Sequence, residues 1–444
     1  MRIAVAGTGY VGLVTGVCFA EYGHHVTCVD VDEVKIELMQ QGVSPIYEPG
    51  LDELMEKNRQ RLRYTTDYRS AYQDADVIFI GVGTPEKLDG SANLKYVFAA
   101  AEQITQAVVK DCVVVVKSTV PIGTNDKLEV FFKERRSNAA QIHVASNPEF
   151  LAQGTAVRDT LNPSRIVIGA EDDYAAQVLK SVYRDFKAPI LITNRKSAEM
   201  VKYASNDFLA LKISYINEIA NLCELVGADI EDVAKGMGLD ERIGSKFLHA
   251  GIGYGGSCFP KDTKALHWLA NFHDYEMKTI KAAIEVNDNQ KLRMIKKARK
   301  YYRSLKGLKV AVLGLTFKPG TDDLREAPSL VNIPILLDEE CSVQAWDPIG
   351  VENFKKYYPD EVLYCDTIEE ALQDANLCLI FTEWEEVKGL EVNTFCQYMK
   401  IPIVIDGRNC YALEQFEGTG VTYDSIGRRV VKGKHSYGTG WWIV

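Results

Sequence analysis

No apolar run in this sequence approaches the ~20 residues of a membrane span, so no transmembrane segment is expected. Positive charge is in deficit, with a formal net charge of -10. That balance argues against nucleic acid, whose phosphates call for a basic field. An anionic substrate would have to be caught by local basic residues against the global charge. The ten cysteines show neither a C-x-x-C pair nor a Cys/His cluster of metal spacing. No metal site is expected, and free thiols suit a reducing cytoplasm better than disulfides do. The opening residues MRIAVAGTGYVG enter an apolar strand and a glycine loop at once, so no signal peptide is expected. What is left is an ordinary globular composition, 46% hydrophobic and 25% charged. At 444 residues the chain exceeds one core and suggests roughly two or three domains.

RIAVAGTGYVG sets an apolar run before Gly7, Gly9 and Gly12 in G-x-G-x-x-G spacing, with apolar residues again through Val17 and Ala20. A strand before this loop and a helix after it supply the context a dinucleotide site requires. Gly7 would make the tight turn, Gly9 would let a pyrophosphate approach the backbone, and Gly12 would allow close helix–strand packing. Tyr10 and Val11 complete the loop as cofactor-binding candidates. A second strand, HHVTCVD, ends at Asp30, about 20 residues past the loop, where a ribose-binding acid belongs. A carboxylate there accepts from a 2′-hydroxyl and repels a 2′-phosphate, so NAD is expected over NADP. Lys35 is a nearby cation that could soften the repulsion. The alternative is a glycine turn in an α/β unit that binds nothing.

Three more runs, Asp76–Pro85, Cys112–Pro121 and Ile142–Phe150, are apolar and β-branched and end in small polar residues and a proline. Strands of a parallel sheet deliver loops to a site at their carboxyl ends in this way. Thr84, Ser118, Thr119 and Glu149 are therefore expected to face one crevice, the first three on the cofactor side. From Ser197 to Val226 the sequence is helical in composition, without Pro or Gly, and long enough to span domains or pair with a partner subunit. Lys202 and Asn206 share a face of it; a solvated polar face would explain them equally well. GLKVAVLGLTFKPGTDDLREAP, from Gly307, repeats the strand-then-loop opening with Gly314 alone in place of three glycines. That loop would not cradle a dinucleotide, whereas Lys318 and Arg325 within it suit a smaller anion such as a nucleotide diphosphate.

GYGGSCFPKD, Gly253–Asp262, places Cys258 between a glycine-rich turn and Pro260, a natural first-turn helical residue. A thiol beside a helix N-terminus and Lys261 is poised to act as a nucleophile. Glycines 253, 255 and 256 would leave bare backbone for a bulky substrate. A hydride acceptor and a thiol together can oxidise an alcohol to an aldehyde, trap it as a thiohemiacetal, oxidise it to a thioester and release an acid. A buried structural cysteine is the bland alternative.

GTGYVG, KSTVPIGT, SNPEFLAQGTA, KYASNDFLALKIS, GYGGSCFPKD and FKPGTDDLRE together resemble the UDP-glucose 6-dehydrogenases of the UDP-glucose/GDP-mannose dehydrogenase family, from Met1 to about Arg408. The resemblance implies four-electron oxidation of UDP-glucose to UDP-glucuronate with two NAD. By resemblance Cys258 is the nucleophile, and Lys202 and Asn206 stabilise the oxyanion of the thiohemiacetal and thioester steps. Asp262 with Thr119 would hold the hydrolytic water, and Glu149 would assist in the same pocket. Phe150, Leu151, Phe247, Leu248, His249, Gly251, Tyr254, Gly255 and Lys318 resemble sugar-nucleotide contacts, and Arg408 in DGRN matches a substrate-side position. Arg242, in DERIGSKFL, matches a position that reaches the neighbouring subunit's substrate. Lys261 and Arg325 resemble cofactor-side contacts.

The expected fold is α/β: two Rossmann-like doubly wound domains joined by a central helical segment with a long helix. Residues 1–196 would bind NAD, 197–303 would carry Cys258 and form a homodimer, and 304–425 would bind the UDP-sugar. Residues 426–444 match no family motif and read as a disordered tail, although Trp441 and Trp442 are costly to leave in water. The competing functions are a sister enzyme acting on GDP-mannose or a UDP-N-acetylhexosamine, a two-electron β-hydroxyacid dehydrogenase, and an NAD-sensing protein without turnover. The last leaves Cys258, Lys202 and Asp262 without a role.

Overall fold

The computed structural model describes residues 1–136 and 138–434. Trp441 and Trp442 lie outside the described residues. Two compact units divide the chain: Met1–Ser205 with Lys264–Asp274, and Asn206–Thr263 with the chain from Tyr275 on.

The first unit is built on eight strands: β1 (Arg2–Ala6), β2 (His25–Val29), β3 (Leu62–Thr65), β4 (Val77–Ile80), β5 (Cys112–Val116), β6 (Ile142–Ser146), β7 (Ile166–Ala170) and β8 (Ile190–Thr193). Their order is β3-β2-β1-β4-β5-β6-β7-β8, and β6–β7 is the antiparallel pair. Along β1, Ile3 and Val5 face Phe19 and Phe79, while Ala4 and Ala6 face Ile78 and Ile104. Because both faces of the sheet are covered at its centre, β4 and β5 read as unbroken apolar runs, each large buried side chain adding about 1.5–3 kcal/mol. The strand order reverses between β1 and β4, and ligands of such sheets sit at the strand ends beside that switch.

The second unit repeats the topology with β9 (Lys309–Leu313), β10 (Ser342–Trp346), β11 (Val362–Tyr364), β12 (Leu377–Ile380), β13 (Ile403–Asp406) and β14 (Thr422–Ser425). These strands are all parallel in the order β11-β10-β9-β12-β13-β14. Val310 and Val312 pack with Ile216, Ala220 and Cys223, while Ala311 and Leu313 pack with Phe395 and Phe416. The helical segment expected to join the two sheet domains thus shares core residues with the second sheet.

The long helix runs Arg195–Val226, 32 residues. Asn194 caps its start, accepting from the Ser197 amide at 2.7 Å. Gly227, at φ +79°, ends it: the amides of Gly227 and Ala228 both turn back to the Cys223 carbonyl. A second helix, Phe259–Phe272, follows the cysteine.

The tail expectation fails for residues 426–434. Ile426 and Arg428 are buried, Val431 pairs with Tyr423, and Arg428 donates to the Tyr411 carbonyl and the Tyr423 hydroxyl. The burial of Ile426 and Val431 and the fixed guanidinium hold the segment against the second sheet.

Candidate active site

Gly7 takes φ +95°, and a Cβ on Gly12 would stand 2.0 Å from the Gly7 carbonyl oxygen, so glycine is required at both. A Cβ on Gly9 would meet nothing within 4 Å. Gly9 opens the helix Tyr10–Glu21, which has no side-chain cap. Open space at an uncapped helix start is where a pyrophosphate fits. Tyr10 donates its hydroxyl to the Tyr47 carbonyl, and Val11 is half-buried beside it. Asp30 accepts from the amide and hydroxyl of Thr8 at 2.8 and 2.6 Å, and from the Asp32 amide at 3.1 Å. Burial pushes the Asp30 carboxyl up, but these donors, aided by Lys35, outweigh it and hold it below the usual range. An ionised Asp30 keeps lone pairs for a ribose hydroxyl. The Lys35 ammonium is half-exposed and 4.0 Å from Asp32. The loop and the acid fit NAD.

Three strand-end hydroxyl residues follow. Thr84 donates to the Thr119 carbonyl at 2.8 Å, and Ser118 donates to the Val82 carbonyl at 2.6 Å. These bonds stitch the loops after β4 and β5 together. After β6, Glu149 Oε1 meets Lys202 Nζ at 2.8 Å, and its Oε2 accepts from the Leu151 amide. Both side chains are about 5% exposed. The Phe150 ring lies 3.8 Å from the Arg165 guanidinium and 5.6 Å from Lys202 Nζ, while Leu151 packs on the core beside Leu13. Lys117, which sequence reasoning passed over, adds a buried cation to this group. It donates to Asn147 Oδ1 at 3.0 Å. Burial pulls its pKa down to about 8, Glu149 opposing and Lys202 assisting. A lysine directly after five apolar strand residues was the available signal.

In the second unit the Cys258 carbonyl accepts from the Asp262 amide at 2.9 Å, so the cysteine sits at the start of its helix. Its thiol is partly exposed, with the Ser257 hydroxyl 3.7 Å away. Burial pushes the thiols of Cys18, Cys28 and Cys112 up to about 12. Asp262 is 1% exposed; Asn206 donates to its Oδ2 at 2.7 Å, and Lys261 Nζ is 2.5 Å from its Oδ1. The cation expected beside the thiol is thus paired with Asp262, because a carboxylate out of water draws the adjacent ammonium.

The glycine loop serves packing where open backbone was expected. A Cβ on Gly256 would stand 2.7 Å from the Phe317 ring, one on Gly255 2.5 Å from the Glu326 carbonyl, and one on Gly253 2.7 Å from the Asn287 amide oxygen. Gly251 donates to Asn217, and Leu248 and Tyr254 are buried. Phe247 adopts φ +64° and remains exposed. His249 Nε2 lies 2.9 Å from the Arg408 carbonyl. Arg408 donates to the carbonyls of Phe381, Gly253 and Phe317, which ties the loop to the second sheet. Arg325 is engaged by Asp323, and Lys318 Nζ lies 5.6 Å from the Phe317 ring centre. Arg242 projects into solvent, held by Asp240.

Three family profiles match the chain: the NAD binding domain of the UDP-glucose/GDP-mannose dehydrogenase family over residues 1–187, its central domain over 196–289 and its UDP binding domain over 311–413. A UDP-glucose 6-dehydrogenase of Bacillus subtilis (YwqF) is 51% identical over 433 residues, 97% of this chain and 98% of that protein. A solved UDP-glucose dehydrogenase from Pyrobaculum islandicum superposes with a TM-score of 0.90 at 38% identity, covering 96% of this chain and 98% of the other. A UDP-D-ManNAc dehydrogenase from Pyrococcus horikoshii does so with a TM-score of 0.84 at 28% identity, covering 96% and 99%. No helix among the described residues is long and apolar enough to cross a membrane.

Proposed function

The chain belongs to the UDP-glucose/GDP-mannose dehydrogenase family, and from that premise we propose that it oxidises UDP-glucose to UDP-glucuronate, with two NADH per sugar. The observation that carries the reading is a partly exposed Cys258 at a helix start, one turn ahead of a buried Asp262 gripped by Asn206 and Lys261. Gly7, Gly9, Gly12 and Asp30 hold NAD, with Tyr10, Val11, Lys35, Thr84, Ser118, Lys261 and Arg325 on the cofactor side. NAD, when bound, takes up the hydride in each of the two oxidations.

Cys258 Sγ bonds to the sugar C6 once that carbon is at the aldehyde level, and after the second oxidation holds it as a thioester. Lys202 and Asn206, one turn apart on the long helix, donate to the oxygen as it gains charge. Asp262, with Thr119, orients a water and takes its proton as the oxygen attacks C6. The C–S bond then breaks, the thiolate returns, and the carboxylic acid leaves. Glu149 holds the Lys202 ammonium in place. Lys318, Arg408, Phe150, Leu151 and the stretch Phe247–Gly255 are assigned to the sugar nucleotide. In this division residues 1–196 serve the cofactor, 197–303 the chemistry and 304–425 the uridine diphosphate. A reducing, cytoplasmic setting belongs to the same proposal, supported by ten free thiols.

The experiment is NADH formed per sugar consumed, measured across UDP-glucose, GDP-mannose and UDP-N-acetylhexosamines. Two NADH from UDP-glucose, with little free aldehyde, is expected; one NADH would replace this reading with a two-electron dehydrogenase.

A homodimer is proposed as well. The long helix exposes Phe208, Tyr215 and Leu222 at seven-residue spacing, and Leu225, 83% exposed, three residues further on. Such a stripe matches a helix that meets its own copy. Light scattering at micromolar concentration should report twice the chain mass, and a monomer would also remove the cross-subunit role of Arg242.

A further inference from the structure

Asp207 follows Asn206 on the long helix and is 2% exposed. Among the described residues neither of its carboxyl oxygens has a hydrogen-bond partner. A carboxylate buried in that way is among the most expensive groups a protein interior can hold. Two neighbours set its electrostatic surroundings. Asp262, from the cysteine helix, acts on it electrostatically, and Asp262 already has the Lys261 ammonium and the Asn206 amide. Tyr254, from the glycine loop, lies within electrostatic reach of Asp207, with its own hydroxyl turned to the Thr263 side chain. Two buried carboxyls this close cannot both ionise cheaply, so the charge settles on the one with donors.

Resting on the dehydrogenase reading above, we propose that Asp207 is a positioning residue for thioester hydrolysis: neutral, it leaves Asp262 as the single anion beside Asn206. Ionised, it places a second negative charge one residue from the amide that must steady the developing oxyanion. In a site screened from water that opposes every step that builds charge on oxygen. Burial, then the Asp262 charge, raises its pKa to about 8, so the switch falls within the range an assay covers.

Asp207→Asn replaces the neutral acid by a neutral isostere. In steady-state NADH assays kcat at pH 7 should stay within about threefold of the parent. At pH 9 the variant should exceed the parent by about tenfold, because only about a tenth of Asp207 is then neutral. KM for UDP-glucose should hold within about twofold at both pH values. Intact-mass spectrometry at pH 9 should show the parent, and not the variant, accumulating the sugar–protein adduct. Folded-state stability supplies a second readout. A carboxyl whose pKa rises on folding loses stability between its unfolded value near 4 and its folded value, so the variant should gain melting temperature on the parent as pH rises to 8. Superimposed pH profiles overturn the proposal, as does a folded variant more than about a hundredfold slower at pH 7. A parent that forms no NADH from UDP-glucose defeats the dehydrogenase reading itself, a different failure.

Discussion

Cys258→Ala should lower acid production by several orders of magnitude while the fold and NAD binding survive. The side chain is only partly buried, so removing one sulfur leaves little cavity. The second oxidation, however, needs a carbon bonded to the protein, because a free aldehyde has no tetrahedral centre from which a hydride can leave unless water adds to it. Cys258→Ser keeps the covalent route, but a hydroxyl is a far weaker nucleophile than a thiolate and the oxygen ester hydrolyses more slowly. A sugar–protein adduct should therefore accumulate in the Ser variant and be visible by intact-mass spectrometry. Near-normal acid formation by Cys258→Ala would make the thiol structural and remove the centre of the proposed function.

The largest stability effect is expected at Lys297. Its ammonium, 1% exposed, lies 2.7 Å from both Glu224 and Asp424, the latter fully buried. Arg293 reaches the other Glu224 oxygen at 2.7 Å, and Tyr301 donates to Asp424. Lys297→Met would keep much of the packed volume and strand the Asp424 carboxylate. Breaking a buried pair from one side costs about 3–5 kcal/mol, a large share of any unfolding free energy. The sign of the pH dependence should also reverse. Burial raises the Glu224 carboxyl, but Lys297 and the Gly427 amide outweigh it and hold it below the usual range. In the parent that stability is present above the unfolded carboxylate pKa and is lost as pH falls through the folded one. In Lys297→Met the stranded carboxyls should gain from protonation, so the gap in urea midpoint should narrow from pH 7 to pH 5. A variant as stable as the parent at pH 7 would show that the network contributes nothing net.

Sequence reading reached the elements that carry strong local signals. The glycine loop, the run of five apolar residues in β5, the long helix and the second strand-then-loop opening all announce themselves within their own windows. The edge strands β3, β8, β11 and β14 do not, because LRYT, ILIT, VLY and TYDS are four residues or fewer. Their pairing comes from the sheet they join. The glycines before Cys258 were visible, but their purpose was not: Phe317, which fills the space beside Gly255 and Gly256, lies some 60 residues downstream. Lys261 was assigned to the thiol by adjacency, whereas a buried carboxylate one residue on claims it. Asp207 stayed unremarked because its importance rests on what it lacks, and hydrogen-bond partners cannot be counted from a linear pattern.

The loop ahead of Cys258 takes its shape from residues made much later. The Gly256 amide donates to the Arg325 carbonyl, and the Gly253 carbonyl accepts from Arg408, a residue about 150 positions beyond the thiol. At ribosomal speeds of roughly 5–20 residues per second, Cys258 leaves the peptidyl centre about 8–30 s before Arg408 is even polymerised. A nascent chain thus carries its thiol for many seconds outside the geometry that directs it, open to oxidation and to chance electrophiles. Slow codons placed between the two residues would lengthen that exposure, whereas slow codons after Arg408 would not.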